Sequence, residues 1–134
     1  MLEQKEILER FVGWTKLKIK IHFSQRRIFP KEREIWWVSL GQNIGVEING
    51  KNENFERPVL VVKKYSLDSV LVLPISSRSR DNQYCFDFIN NNKNGSINFS
   101  QVKSISTKRF IRRLDKMDSV VYQKIKEKLK ETFK

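Results

Sequence analysis

Two short aliphatic segments, separated by three residues, constrain the fold of this chain most strongly. The segments VLVVKKY (59–65) and SVLVLPIS (69–76) are rich in β-branched residues, and Ser66-Leu67-Asp68 joins them. Continuous apolar runs of this length are typical of strands that are buried on both faces. So short a connection predicts that the two strands form an antiparallel hairpin.

Arg57 and Pro58 stand at the entrance to the first of these strands. Proline lacks an N–H and has a fixed φ, so it suits the first position of a strand but not its middle. The rigid neighbour leaves two interpretations of Arg57. It is either an ordinary surface charge at the mouth of a loop, or a guanidinium whose direction is fixed for a purpose.

Further short segments predict strands around the hairpin. They alternate in polarity or are rich in aromatic and β-branched residues: EIWWVSL (34–40), YCFDFI (84–89), SINF (96–99) and VKSI (102–105). Asn94-Gly95 predicts a tight hairpin turn between two of them, because this pair readily adopts positive φ. Five or six short strands with little helix between them predict a small, strongly curved antiparallel sheet or barrel. The glycine- and asparagine-rich segment 41–56 predicts a long loop of the kind that often carries function.

Helices are predicted at both ends of the chain. Near the start, apolar residues recur at helical spacing and predict a helix through about residue 22; they are Leu8, Phe11, Val12, Thr15 and Ile19. The segment KLKIKIHF (16–23) also alternates as a strand would, but no turn residue interrupts the helical stripe. Near the end, Asp118 or Ser119 can cap a second helix, whose apolar stripe is Val121, Ile125 and Leu129.

The predicted fold class is therefore α+β and mainly β. The 134 residues, of which 39% are hydrophobic, suit one compact domain that needs no disulfide or metal to fold. Pro30 marks a boundary. We expect a basic helical extension over residues 1–32 and, over residues 33–134, a small barrel with a C-terminal helix.

The charge of the chain favours a polyanionic partner. Its 27 basic and 15 acidic residues give a net charge of +12. The excess lies at the two ends, with +5 in residues 1–33 and +7 in residues 101–134, whereas residues 34–100 are neutral. Each phosphate contact releases counterions, so such an excess favours phosphate-rich partners. A basic domain without such a partner is the alternative.

The cysteine content and the hydropathy pattern indicate a cytoplasmic protein. A single cysteine excludes an intramolecular disulfide and fits a reducing compartment. No apolar run approaches the length of a membrane span, and residues 1–20 carry too many charges for a signal peptide.

Several classes of chemistry are disfavoured by what the sequence lacks. One histidine, His22, and one cysteine, Cys85, predict neither a zinc site nor a Cys/His catalytic pair. We expect His22 at the surface or a helix end and Cys85 in the core. Asp115 and Asp118 are more simply turn and cap residues than magnesium ligands. We therefore expect no metal and no cofactor, and any cleavage of a polyphosphate chain should proceed without metal.

Metal-free cleavage narrows the substrate to RNA, whose 2′-hydroxyl is an internal nucleophile. The protein then has to orient this group, move protons and stabilise the charged phosphorane. An arginine with a fixed backbone can offer a forked pair of donors to the nonbridging oxygens. Arg57 suits that role, and Ser76 or Ser77, after the second strand of the hairpin, can supply a further donor.

Four blocks of the sequence together resemble the MazF/PemK family of bacterial toxins. They occur in the family order over about residues 33–130: EIWWVSLGQNIGVE (34–47), RPVLVV (57–62), LPISSR (73–78) and INFSQVKSISTKRFIRRLDKM (97–117). The resemblance implies a small SH3-like barrel with a C-terminal helix that works as a homodimer. It also implies metal-independent cleavage of single-stranded RNA at short sequences, and inhibition by an antitoxin that lays an acidic segment over the dimer groove.

The resemblance also implies roles for individual residues. Arg57 matches the arginine that acts in acid–base chemistry and phosphate stabilisation, and Ser76 stands where the family has a Thr or Ser that stabilises the transition state. Catalysis is thus assigned to Arg57 and Ser76. Contacts with RNA are assigned to Glu47, Ser77, Arg78, Gln101 and Lys103, where Lys103 replaces the arginine of the family's Q-I-R segment.

Three departures leave alternatives open. Some members have an Arg-x-Asp pair where this chain has Asn98-Phe99-Ser100, so that version of the chemistry is absent. A catalytically inactive module that binds RNA or protein on the same barrel is therefore the alternative function, and a topoisomerase poison is a third. The loop between Glu47 and Arg57 is longer than in compact members, which leaves the cleaved sequence undetermined. Residues 1–32 have no counterpart in the minimal toxin, and they either cover a barrel edge or widen the RNA footprint.

Overall fold

The computed structural model describes residues 3–78 and 81–134. Over these ranges the chain forms two α-helices and seven strands. In chain order they are α1 (Gln4–Phe23), β1 (Glu34–Ser39), β2 (Glu56–Lys64), β3 (Ser69–Ser76), β4 (Cys85–Asn90), β5 (Lys93–Asn98), β6 (Lys103–Ser106), β7 (Phe110–Lys116) and α2 (Ser119–Glu131). Short 3₁₀ helices, Phe99–Gln101 and Thr107–Arg109, flank β6.

The strands form one antiparallel sheet in the order β4-β5-β3-β2-β1-β7. The predicted hairpin is confirmed, because β2 and β3 pair from Val59 opposite Pro74 to Lys64 opposite Val70. On its other side β3 has two partners. Its first half pairs with β6, and its last two residues pair with β5. The strand β3 thus links two antiparallel sets of strands, and the predicted fold class, α+β and mainly β, is confirmed.

The sheet remains open between its end strands, β4 and β7, and side chains bridge the gap. The Asn90 amide at the end of β4 donates a 3.0 Å hydrogen bond to the Asp115 carboxylate on β7. The Asn90 side-chain oxygen accepts a 2.9 Å hydrogen bond from the backbone N–H of Asp118. Asn90 is buried, so these contacts satisfy its polar groups and bring β4 close to the start of α2.

The hairpin lies between two apolar cores, which explains its continuous hydrophobicity. Leu60 and Val62 face the core under α2, whereas Val59 and Val61 face a second core behind the sheet. The first core also contains Leu73, Ile97, Met117, Ile125 and Leu129. The second core also contains Val38, Leu40, Val72, Ile105 and Phe110. Strands buried on both faces were predicted, and the structure confirms them.

The predicted turn at Asn94-Gly95 was wrong. The β4–β5 turn lies at Asn91 and Asn92, which have φ values of 50° and 63°, and Asn90 pairs with Lys93 across it. Gly95 lies inside β5 instead, where a Cβ would come within 2.6 Å of the Phe88 ring. Asparagine tolerates positive φ, so the turn does not require glycine. Close packing against Phe88 requires it at position 95.

The predicted N-terminal helix is confirmed, but its apolar stripe is not its buried face. Leu8, Val12 and Ile19 are more than half or about half exposed, whereas Trp14 is 6% exposed. The helix docks through Trp14 because this large ring packs on Phe55 and over Gly41. Beyond α1, the Arg26 guanidinium donates to the Ile111 carbonyl on the end strand β7, so the extension does contact an edge of the sheet.

The second helix begins and packs as its sequence predicts. The Asp118 carboxylate accepts hydrogen bonds from the N–H groups of Val120 and Val121, which confirms the predicted cap. Ile125 and Leu129 are buried against the sheet. The Tyr122 hydroxyl donates to the Val62 carbonyl at 2.9 Å. Burial raises the pKa of Tyr122 to about 12.

Candidate active site

A groove of about 480 Å³ lies between the 41–56 loop, the start of β2 and the end of β3. Its walls are mainly polar. The lining residues that matter here are Glu47, Asn49, Arg57, Ser76, Arg78 and Gln101. The structure thus brings both predicted catalytic residues and three of the five predicted RNA contacts to one groove.

Arg57 is held by the backbone on two sides. Its position in β2 lies opposite Val38 of β1, so its Cα is fixed by the sheet. Its Nε–H donates a 2.7 Å hydrogen bond to the Asn49 carbonyl, and Nη1 donates a 3.4 Å hydrogen bond to the Ile75 carbonyl. Within the described part of the chain, no acceptor contacts the Nη2 end. The guanidinium is therefore oriented and keeps donors for a ligand in the groove.

Burial also changes the hydration and the pKa of this guanidinium. Arg57 is half-buried, and desolvation lowers its pKa from the usual value for arginine. Partial loss of hydration strengthens its attraction for an anion, because the local dielectric is lower than that of water. The site can therefore bind and stabilise a negatively charged group such as a phosphate.

Ser76 is the last residue of β3 and lies beside Arg57 in the groove. Its partner across the sheet is Ser96 of β5. The Ser76 Oγ accepts a 3.2 Å hydrogen bond from the backbone N–H of Arg78. This contact uses an oxygen lone pair and leaves the hydroxyl proton free to be donated.

Gln101 fastens the loop to the rest of the domain. Its Oε1 accepts a 2.9 Å hydrogen bond from the Ile48 N–H, and its Nε2 donates to the Val46 carbonyl at 3.2 Å. Both ends of this amide are thus used to hold the loop. Gln101 was predicted as an RNA contact, and that role stays a prediction. What the geometry shows is a residue that shapes the groove wall.

Glu47 and Lys103 differ in their relation to the groove. Glu47 is exposed on the groove wall. Lys103 lies on β6 and is not one of the groove-lining residues among those that the structure describes. Burial lowers the pKa of Lys103 and the Arg109 charge lowers it further, while Glu47 acts in the opposite direction. Lys103 was predicted as an RNA contact, and that role stays a prediction.

A second, more apolar cavity of about 290 Å³ shares Arg57 and Ser76 with the groove. Trp37, Phe88 and Leu114 supply its apolar walls, and Ser77 lines it. The Arg112 guanidinium lies 4.9 Å from the Trp37 ring centre and forms a 2.8 Å ion pair with Glu56. Arg57 and Ser76 thus stand at the border of a polar and an apolar space, and Ser77 belongs to the apolar one.

Comparison with protein families identifies the relationship of this chain. Residues 31–133 match the model of the PemK-like, MazF-like toxin of type II toxin–antitoxin systems. The chain belongs to the PemK/MazF toxin family. The match includes the groove, Arg57 and Ser76, and it leaves α1 outside.

Solved structures share the PemK/MazF fold at low sequence identity. MazF from Deinococcus radiodurans has a TM-score of 0.66 at 17% identity, covering 79% of this chain and 97% of that one. A mycobacterial endoribonuclease in complex with its cognate antitoxin has a TM-score of 0.61 at 13% identity, covering 78% and 94%. The toxin MazF-mt6 from Mycobacterium tuberculosis has a TM-score of 0.55 at 18% identity, covering 75% of this chain and 96% of that one. Comparison with the sequences of curated proteins found no match.

Some residues of this PemK/MazF chain lie elsewhere than the sequence suggested. Cys85 was expected in the core, but it is only partly buried and lines the groove, because it begins the edge strand β4. Asn98 lines the groove too, although it was not among the predicted site residues. Its side chain accepts hydrogen bonds from the N–H and the hydroxyl of Ser100 and so caps the 3₁₀ helix. The signal for Asn98 was its position two residues before Ser100, which is typical of such local caps.

His22 and Asp115 lie away from the groove. His22 is exposed in the last turn of α1, as expected. Within residues 3–78 and 81–134, no group of three or more His, Cys, Asp or Glu residues could hold a metal ion. Asp115 accepts hydrogen bonds from Asn90 and Asn91 across the open side of the sheet. No helix in the described ranges is long and apolar enough to cross a membrane.

Proposed function

We propose that this chain is the toxin of a type II toxin–antitoxin pair and acts as a metal-independent endoribonuclease on single-stranded RNA in the cytoplasm. The observation that carries the proposal is the setting of Arg57. Its guanidinium is half-buried, is held by the Asn49 and Ile75 carbonyls, and lies beside Ser76 in a polar groove. An oriented cation and a hydroxyl donor at one site suit a phosphodiester.

The proposed reaction uses the ribose itself as nucleophile. The 2′-oxygen loses its proton and forms a bond to the adjacent phosphorus, and the bond from phosphorus to the 5′-oxygen breaks. The leaving 5′-oxygen takes up a proton. The products are a 2′,3′-cyclic phosphate and a 5′-hydroxyl, so no water molecule is consumed, and the proposed step uses no metal ion.

Arg57 and Ser76 have distinct roles in this reaction. The Nη2 end of Arg57 donates to the nonbridging oxygens, where charge develops in the phosphorane, and the Ser76 hydroxyl donates to the same charge. Desolvation lowers the pKa of Arg57, which is the direction that eases proton transfer from the guanidinium to the leaving oxygen. Its cationic form still dominates near neutral pH, so phosphate stabilisation is the role that the geometry supports best.

The charge of the chain supports a nucleic-acid substrate and an acidic inhibitor. The net charge of +12 attracts RNA over many phosphates, and this attraction weakens with salt. An acidic antitoxin would use the same attraction, and we propose that such a protein covers the groove. Complexes named MazE-MazF occur among the structures that share the fold, which supports a protein inhibitor of this kind.

We also propose that the chain acts as a homodimer.

Incubation of the purified protein with a long single-stranded RNA in excess EDTA tests the proposal. We expect discrete fragments whose upstream pieces end in a 2′,3′-cyclic phosphate, with 5′-hydroxyl ends that map to one short sequence. Retarded but intact RNA on a native gel would instead indicate a binding module. The Asn98 cap is the observation that favours this second candidate, because it occupies the segment where some members have an Arg-x-Asp pair.

A further inference from the structure

Helix α1 lies outside the residues that match the family, yet it contacts the loop that orients Arg57. This loop, residues 41–56, closes on itself at its base. The Gly50 N–H donates to the Gly41 carbonyl at 2.8 Å, and the Leu40 N–H donates to the Phe55 carbonyl at 2.7 Å. Its middle carries Asn49, whose carbonyl accepts the Nε–H of Arg57. Whatever fixes this loop also fixes the direction of Arg57.

Arg10 of α1 binds the loop through both terminal nitrogens of its guanidinium. Nη1 donates to the Asn52 carbonyl at 2.8 Å, and Nη2 donates to the Gly50 carbonyl at 3.3 Å. The guanidinium carbon also lies 3.8 Å from the centre of the Phe55 ring. A planar fork that stacks and donates at once is specific to arginine. The two carbonyls directly follow Asn49 and Lys51, so the contact fixes the loop next to the Arg57 acceptor.

Trp14, one turn further along α1, packs against the base of the same loop. Its ring centre lies 5.7 Å from that of Phe55. A Cβ at Gly41 would come within 2.5 Å of the indole, and Gly41 has a φ of 105°, so glycine is required twice over. The guanidinium carbon of Arg109 lies 5.6 Å from the centre of the Trp14 ring, and Nη1 of Arg109 donates to the Ser39 and Leu40 carbonyls. The helix is thus fitted to the loop rather than lying loosely over it.

We propose that α1 braces the 41–56 loop, which orients Arg57, with Arg10 as the positioning residue and Trp14 as the apolar anchor. The inference rests on the proposed endoribonuclease function. Arg10 acts through the Gly50 and Asn52 carbonyls on the Asn49 carbonyl, and through that on Arg57. In this account α1 sets the rate of cleavage at bound RNA, beyond any attraction of its lysines for phosphate.

Three variants separate the brace from simple charge. Arg10→Ala removes both hydrogen bonds and the stacking contact. Arg10→Lys keeps the charge and can donate to only one of the two carbonyls with comparable geometry. Lys16→Ala is the matched control, because Lys16 lies on the exposed side of the same helix and its loss changes the net charge equally.

Single-turnover cleavage over a range of protein concentrations provides the first readout. We expect Arg10→Ala to lower the maximal rate roughly 10- to 100-fold, since a small misplacement of a catalytic group has effects of that size. Arg10→Lys should recover part of the rate. Lys16→Ala should raise only the concentration needed for half-maximal rate. A wild-type maximal rate in Arg10→Ala, or the same change in affinity alone for both alanine variants, would overturn the inference.

Hydrogen exchange of the free protein provides a readout without RNA. Amides of residues 41–56 should exchange faster in Arg10→Ala than in wild type, and at the wild-type rate in Lys16→Ala. Unchanged exchange in Arg10→Ala would refute the brace even if cleavage were slower. If the wild-type protein left RNA intact, the proposed function would fail. Hydrogen exchange of the amides of residues 41–56 would then test by itself whether α1 braces the loop.

Discussion

The Nε–H of Arg57 donates a 2.7 Å hydrogen bond to the backbone carbonyl of Asn49, which joins a core strand to a long surface loop. The strand fixes the backbone position of Arg57, and the loop fixes the orientation of its guanidinium. Gln101 holds one side of the loop and Arg10 the other. The loop that orients this half-buried cation is therefore held by contacts from two distant parts of the chain.

Ser76→Ala should slow cleavage while the protein stays folded. The hydroxyl is the second donor to the developing charge, and loss of one preorganised donor typically costs about 10²-fold or more in rate. Single-turnover cleavage in EDTA measures the effect. Ser66→Ala is the control, because Ser66 is exposed in the short connection between β2 and β3, at the opposite end of β3 from Ser76. Equal rates for the two variants would remove Ser76 from the mechanism.

Tyr122 should make the protein less stable in strong alkali. Burial raises the pKa of Tyr122 in the folded state to about 12 from a usual value of 10. The neutral phenol is therefore favoured by folding. Its contribution is complete below pH 10 and is lost as the pH rises from 10 towards 12. Urea unfolding across this range should show a steeper loss of stability in wild type than in Tyr122→Phe.

The same variant has a test at neutral pH. Tyr122→Phe leaves the Val62 carbonyl without its 2.9 Å donor, which should lower the free energy of unfolding by about 1 kcal/mol. For the alkaline test, the free energy of unfolding could instead fall equally with pH in wild type and Tyr122→Phe. That result would show that the pKa of this phenol is the same in the folded and unfolded states.

Ile125→Ala should destabilise the junction between α2 and the sheet. Ile125 is fully buried, and such truncations typically cost about 2–5 kcal/mol of unfolding free energy. Val120→Ala is the matched control, because Val120 is 61% exposed and should change stability by no more than about 0.5 kcal/mol. Urea unfolding of both variants measures the difference. Similar losses would show that α2 does not complete the core.

Most of the fold could be predicted because local signals and packing agree. The β2–β3 hairpin follows from two apolar runs and a short connection, and the Asp118 cap follows from side-chain chemistry alone. The turn before β5 failed because Asn91 and Asn92 satisfy the same φ requirement as Asn-Gly. The close contact of Gly95 with Phe88 explains the glycine inside β5, and a sequence does not display that contact.

The residues that meet in the candidate site could be named from the sequence, but their geometry could be predicted only in part. Arg57 and Ser76 follow from their places at strand ends beside proline and a turn. Both contacts that orient Arg57 use backbone carbonyls, which no pattern of side chains reveals. Residues on α1 were missed for another reason. The stripe with the best helical spacing, which contains Leu8 and Val12, is exposed, whereas the helix docks through Trp14, which packs on Phe55.

The rate of RNA cleavage by Arg57→Ala in EDTA tests the central claim most directly. Arg27→Ala is the control, because it removes the same type of charge from an exposed position before β1. We expect Arg57→Ala to cleave at least about 10²- to 10³-fold more slowly than wild type under single-turnover conditions, with an unchanged circular dichroism spectrum, and Arg27→Ala to keep its maximal rate. Cleavage by Arg57→Ala at the rate of Arg27→Ala would contradict the account.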